Sequence, residues 1–201
     1  MTITRRRAPS SQKGVVLFIA LIVLVAMSLA GIAMVRSVDT ALGIAGNIAF
    51  KEGTIQASDK GVQSAYAWLA ANAGGAVLQN TDAANGYYSN LATEPNWFDM
   101  ANWGGAVAIN AGTADAAGNT IRYIIHRMCT VGNAAYNATS PSTNSCAMYV
   151  PSSGGSSGGS MSVGSVQFQG TPQVYFRITT RVDGPRNTVS ITQTSVLIDA
   201  T

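Results

Sequence analysis

From Val15 to Val35 the chain carries no charged residue, and Ser28 is its only hydroxyl: VVLFIALIVLVAMSLAGIAMV. As a helix, this run of about 21 residues would be roughly 31 Å long, the thickness of one bilayer core. Arg36 closes it, and a basic leader (Arg5, Arg6, Arg7, Lys13) ending in Gly14 precedes it. An ordinary secretory signal would end in a small-x-small cleavage site, and none follows the apolar core. The sequence therefore predicts a membrane helix whose basic flank stays cytoplasmic, with the remainder translocated. A plain single-pass anchor is the simplest protein of this kind.

The formal charge of +3 belongs to the leader: subtracting its four cations leaves the chain from Val15 onward at −1. A nearly neutral translocated part offers no basic surface for nucleic acid. Two cysteines, Cys129 and Cys146, fall in that part, where an oxidising compartment favours pairing. Their bond would close a loop of about 18 residues and contribute about 3 kcal/mol in the chain-entropy model.

Past Arg36 a helical period persists. Ala41, Ile48, Ile55, Val62 and Leu69 recur every seventh residue, with Ile44, Ala45, Ala65 and Trp68 beside them. They predict one buried stripe on an amphipathic continuation of the same helix, to about Asn72, stopped by Gly74-Gly75. Gly43, Gly46, Gly53 and Gly61 predict bending, fraying or close packing, since each costs about 0.8–1.0 kcal/mol relative to alanine.

Five segments follow: a leader at 1–14, a membrane helix at 15–36, its amphipathic half at 37–73, an irregular connection at 74–118, and a sheet with a disulfide-closed loop at 119–201. In the connection, Tyr87, Tyr88, Trp97, Phe98 and Trp103 either cover the helix and seal the domain or form a partner-binding surface. Thr120–Cys129, Ala147–Val150, Val174–Val182 and Thr188–Ile198 read as strands, and Asp183–Asn187 as a hairpin turn. In the last strand, Val189, Ile191, Gln193 and Ser195 should share one face, and Thr192, Thr194, Val196 and Ile198 the other. The expected fold is α+β, a long N-terminal helix packed on an antiparallel sheet of three to five strands. Ser152–Ser160, SSGGSSGGS, reads as a mobile surface loop.

No catalytic constellation is legible. His126 lies in a strand-like run and reads as a satisfied structural histidine. Asp82, Asp99 and Asp115 lack calcium-loop spacing, no metal-ligand cluster occurs, and the glycine-rich tract lacks the Lys-Ser/Thr of a phosphate loop. Neither an enzyme nor a cofactor is expected. Asn137-Ala138-Thr139 is a glycosylation sequon.

Lys13-Gly14 followed at once by the apolar run resembles the class III leader of type IV pilins and pseudopilins. The resemblance implies cleavage by a prepilin peptidase after Gly14, methylation of Val15 as the new N-terminus, and a fibre core built from the apolar helix. The family more often has Phe where Val15 stands. Its major subunits usually have Glu at the fifth mature position, and here that position is Ile19. A subunit without that acid cannot neutralise the amine of a neighbour already in place, so the resemblance implies a place at or near the fibre tip. The stretch from QKGVVLFIALIVLVAMSLAGIAMVRS to AGNIAFKEGTIQASDKGVQSAYAWL, with Arg36-Ser37 and Ala45-Gly46-Asn47, is similar to PilX-like minor pilins. Ser58-Asp59 stands where that group has an Ala-Glu pair. The closing VYFRITTRVDGPRNTVSITQTSVLI is also like theirs.

The resemblance implies a non-enzymatic minor pilin of the type IV pilus that initiates or caps assembly. It would reside in the inner membrane and then in the fibre, from periplasm to exterior. Its partners would be other minor and major pilins, the prepilin peptidase, the inner-membrane assembly platform and a large tip adhesin. A pseudopilin of type II secretion, and an adhesin whose own loops touch a surface, are the alternatives.

Overall fold

A computed structural model describes residues 14–151 and 170–200. Lys13 and the Ser152–Ser160 tract lie outside the described residues. The chain divides into two units, one up to Ile48 and one from Ala49 onward. A single helix, α1 (Val15–Ala71), contributes to both. Its helical assignment is unbroken through Gly31, Gly43, Gly46 and Gly53, so the expected fraying does not occur.

In the first unit, every side chain from Val15 to Val35 is exposed, and the stretch is long and apolar enough to cross a membrane. The lone hydroxyl, Ser28, donates to the Leu24 carbonyl one turn back at 2.8 Å. That bond lets a polar group enter lipid without an unsatisfied donor. The first unit is thus a candidate membrane anchor.

The second unit is an α+β domain. Among the described residues six strands, not the expected three to five, form one mixed sheet: β1 (Tyr87–Tyr88), β2 (Val107–Ala108), β3 (Thr120–Arg127), β4 (Met148–Tyr149), β5 (Gln173–Gly184) and β6 (Thr188–Asp199). β5 lies at its centre, pairing antiparallel with β3 on one side and with the whole of β6 on the other. The predicted hairpin turn joins β5 to β6, with Gly184 opposite Thr188.

Two expectations need correction. The sheet is not wholly antiparallel, because β1 runs parallel to β3, with Tyr87 opposite Ile125 and Tyr88 opposite His126. Nor does it begin at residue 119, since β1 and β2 lie in the 74–118 segment and pair with the outer edge of β3. Two-residue strands carry no readable alternation, so period-2 patterning cannot find them.

β4 continues the line of β3. Arg127 faces Phe176, Met128 donates to the Tyr175 carbonyl, and Met148 faces Val174. Between them the chain leaves the sheet from Cys129 to Cys146 and returns. The predicted disulfide joins these two residues, 17 apart in sequence, across the neck of that excursion.

The buried stripe of α1 is the expected one only toward its C-terminal end, where Ala65 and Leu69 are buried and Val62 and Trp68 pack against the core. Ile48 and Ile55 are exposed, whereas Thr54, Ala57, Ser58, Gly61, Ala65 and Leu69 are buried. These recur at three- and four-residue steps, as one helical face requires. Those from Thr54 to Ala65 are small because the sheet comes close there: a β-carbon on Gly61 would stand 2.8 Å from Thr180 Cγ2 and 3.1 Å from Ile121 Cγ2. Two hydroxyl pairs fix the helix over β6, Thr54 with Ser190 at 2.6 Å and Ser58 with Thr192 at 3.1 Å. Thr54 and Ser58 already donate to the carbonyls of Lys51 and Ile55, so the strand hydroxyls supply the protons between helix and sheet. The helix ends at Ala71, and Asn72 turns its amide back onto the Trp68 carbonyl ahead of Gly74.

Candidate functional site

Three regions hold the residues that the sequence singles out. The first is the start of α1. Gly14 has a left-handed backbone, φ +43°, and nothing lies within 4 Å of where its β-carbon would be. That conformation favours glycine immediately before the first helical residue, Val15. Ile19 is 55% exposed on the same apolar surface. The first charges of the helix are Arg36 and Asp39. An isolated carboxylate costs about 2.5–3.5 kcal/mol at the centre of a spanning helix on insertion scales, and the apolar run from Val15 to Val35 carries none.

The second region is the aromatic stretch, which divides between the two faces of the sheet. Tyr87 is fully buried on the helix side, between Trp68 and Phe176, and donates to the Leu78 carbonyl at 2.5 Å. Burial raises its phenol far above the ordinary value, with the nearby Arg127 charge opposing. The next residue points the opposite way, as strand geometry dictates. There Tyr88 stacks on His126 at 5.2 Å, and Trp97 meets Trp103 edge-on at 5.3 Å over Ile124 and Ile191.

A partner surface made of all five rings is therefore incorrect. Tyr87, Trp97 and Trp103 are buried and Tyr88 is half-buried; only Phe98, 75% exposed, faces outward. The sealing alternative holds in altered form, because Trp97 and Trp103 cover the sheet face away from the helix.

One carboxylate ties this cap down. Glu94 accepts from Trp97 Nε1 at 2.6 Å, Gln193 Nε2 at 2.8 Å and Arg177 Nη1 at 2.6 Å. Partial desolvation raises its pKa, but the Trp97 and Gln193 bonds and the Arg177 charge outweigh that and hold it below the usual carboxylate range. Arg181 holds the next turn, donating to the Phe98 carbonyl at 3.1 Å and to Asp183 at 2.9 Å. Asp183 also takes Arg122 at 2.6 Å.

His126 is buried under the cap between Tyr88 and Trp97, as a structural residue should be. It is not satisfied, however: its Nδ1 has no hydrogen-bond partner among the described residues. Burial pushes its pKa down to about 4; Glu94 opposes this and Arg177 adds to it.

The third region is the disulfide-closed excursion. Arg127 is almost wholly buried, donating to the carbonyls of Ser89 at 3.0 Å and Ala134 at 2.5 Å. Burial lowers its pKa, partly offset by Tyr87. Asn133 and Asn144 add to the pinning. Asn133 Oδ1 accepts from the Thr81 amide at 2.8 Å, and Asn144 bridges Val131 and Ala135. The excursion is thus fastened to the connection and to itself.

Sequence reading missed Glu94, Arg127, Asn133, Asn144 and Arg181. Only Glu94 left a local sign, a carboxylate three residues before an indole. The others bond mostly to backbone groups that no pattern along the chain singles out, and Arg181 also takes the Asp183 carboxylate. Asp82, Asp99 and Asp115 bond locally, each to amides within the next few residues. No group of three metal-ligating side chains occurs among the described residues.

No family model, no curated protein and no solved structure matches the chain.

Proposed function

We propose that this chain is a minor pilin of the type IV pilus, of the PilX-like kind, acting at or near the fibre tip. One observation carries the reading: a helix that begins at Val15, directly after Gly14, exposes an uninterrupted apolar surface without a carboxylate. Such a surface can be handed from lipid to a bundle of similar helices without desolvating a charge. Ala20, Ala26, Ser28, Ala30 and Gly31 on it are small enough for close helix approach. The absence of an acid at Ile19 favours a subunit that receives neighbours over one inserted beneath others. The domain from Ala49 onward supplies a rigid, disulfide-braced body for contacts with other pilins and a tip adhesin.

Ile19 is equally compatible with a pseudopilin of type II secretion. Deletion separates the two: loss of surface fibres and twitching marks the pilus, loss of folded-protein export marks secretion.

The reading is tested at the leader. Intact-mass measurement and N-terminal sequencing should find Val15 first and methylated, and Gly14→Ser should abolish the cut. A Gly14→Ser chain processed like the wild type would sink the reading.

A further inference from the structure

The two long sides of the sheet are finished differently. The outer side of β3 is covered by β1 and β2. β6 pairs with β5 and with no other described strand. Which backbone groups it leaves open follows from one bond. Ala200 donates its amide to the Pro172 carbonyl at 2.8 Å, and these two residues continue the β5–β6 register by one step. In an antiparallel ladder, alternate residues point their N–H and C=O groups at the partner strand. Ser190, Thr192, Thr194, Val196 and Ile198 therefore point inward, and Val189, Ile191, Gln193, Ser195 and Leu197 present theirs along the outer edge. None of these five outward residues makes a backbone bond to another described element.

Sheet edges are ordinarily blunted by lysine, proline, a bulge or shortness. β6 has none of these. It is twelve residues long, pairs with β5 without a skipped register position, and contains no Lys, Arg, Glu or Pro. Its single charge, Asp199, stands at one end, and Arg186 stands just beyond the other. Seven of the eleven residues in TVSITQTSVLI are the β-branched Val, Ile and Thr that strands favour.

We infer that the outer edge of β6 is a strand-addition site that takes an extended segment of another protein subunit. Recognition is through the main chain, as in other strand additions. The fitting segment has an uncharged, β-branched middle, a basic residue beside Asp199 and an acidic one beside Arg186. The inference rests on the strand ladder and does not require the pilus reading.

Hydrogen exchange on the full chain in detergent tests whether the edge is open. The amides of Val189, Ile191, Gln193, Ser195 and Leu197 should exchange about tenfold or more faster than those of Ser190, Thr192, Thr194 and Val196. Equal protection of both sets would mean that the chain covers its own edge, and would overturn the inference. Ser195 replaced by a photo-crosslinking phenylalanine analogue, in cells that make the chain natively, should then give one adduct mapping to a single segment of another protein. That segment, made as a synthetic peptide, should slow the outward amides by about tenfold. Gln193→Pro removes one outward amide and the Glu94 bond but no ladder bond, so it should abolish the adduct and lower the melting temperature little more than Gln193→Ala, which loses the same side-chain bond and keeps the adduct. Adducts that map to residues 152–169 of the same chain, to β6 of a second copy or to no defined segment would each overturn the inference, as would an adduct that survives Gln193→Pro in a folded chain.

Discussion

The two faces of the sheet are closed by opposite means. On one face the helix lies so near around Gly61 that only Ala57, Ala65 and two hydroxyl pairs fit beside it, while Leu69, Tyr87 and Phe176 fill the space toward the helix end. On the other, a strand-poor segment lays two indoles over Ile124 and Ile191 and is held by Glu94 and Arg181. The helix face is closed by proximity, and the cap face by bulk fastened with charge. Dispersion falls away within an ångström of added distance, so either solution excludes water, but each fails under a different substitution.

The largest effect should come from the cap. Trp103 is buried and donates its indole N–H to the Trp97 carbonyl at 2.8 Å. Trp103→Ala should cost about 3–5 kcal/mol in denaturant unfolding of the full chain in detergent.

Acid should attack the same face next. His126 has an ordinary pKa of 6.5, lowered to about 4 in the fold. Above 6.5 both folded and unfolded forms are neutral and the protein is at full stability. As the pH falls from 6.5 toward 4, the unfolded chain takes up a proton that the fold refuses, and about 3 kcal/mol is lost. The lowered pKa of Glu94 acts in the same direction at lower pH, since its contribution disappears as it protonates. Melting temperature against pH should show the decline, and His126→Phe should flatten the part above pH 4. A His126→Phe curve parallel to the wild type would show that the cap tolerates the imidazolium.

The helix face should respond to added volume, not to lost volume. Gly61→Val drives methyl groups into Thr180 and Ile121 and should cost about 1–3 kcal/mol. Gly53→Ala, where nothing lies within 4 Å, should instead stabilise by up to about 1 kcal/mol through helix propensity. If both substitutions behave alike, closeness is not what distinguishes this face. The smallest effect belongs to Phe98, whose exposed ring carries no load in the fold. Phe98→Ala should change stability by less than about 0.5 kcal/mol.

The same contrast explains what was legible in the chain. β5 and β6 were readable because long strands alternate, and the assignment of Thr192 and Ile198 to one face, Ile191 and Gln193 to the other, agrees with the packing. The helix stripe is legible at Ala65 and Leu69 and not further back, where apolarity and burial part company. Ile48 and Ile55 are apolar and exposed, while Thr54 and Ser58 are polar and buried, since the contact selected for size. The rings of 87–103 stand out in the sequence as a group, but nothing local assigns each to a face. Tyr87 and Tyr88 are adjacent, and the two-residue strand that sends them to opposite sides exists only through its pairing with β3.

By itself the sequence determined the helix from Val15, its capacity to cross a membrane, the pairing of Cys129 with Cys146 and the long β5–β6 hairpin. Each of these depends on local composition or short-range spacing, which the chain carries along its own length. Tertiary structure alone decided which side of the helix meets the sheet, where the indoles lie, what Arg127 and Glu94 hold, and that β6 pairs with β5 and with no other described strand. Those outcomes depend on distances between residues far apart in sequence, and only the folded backbone sets such distances.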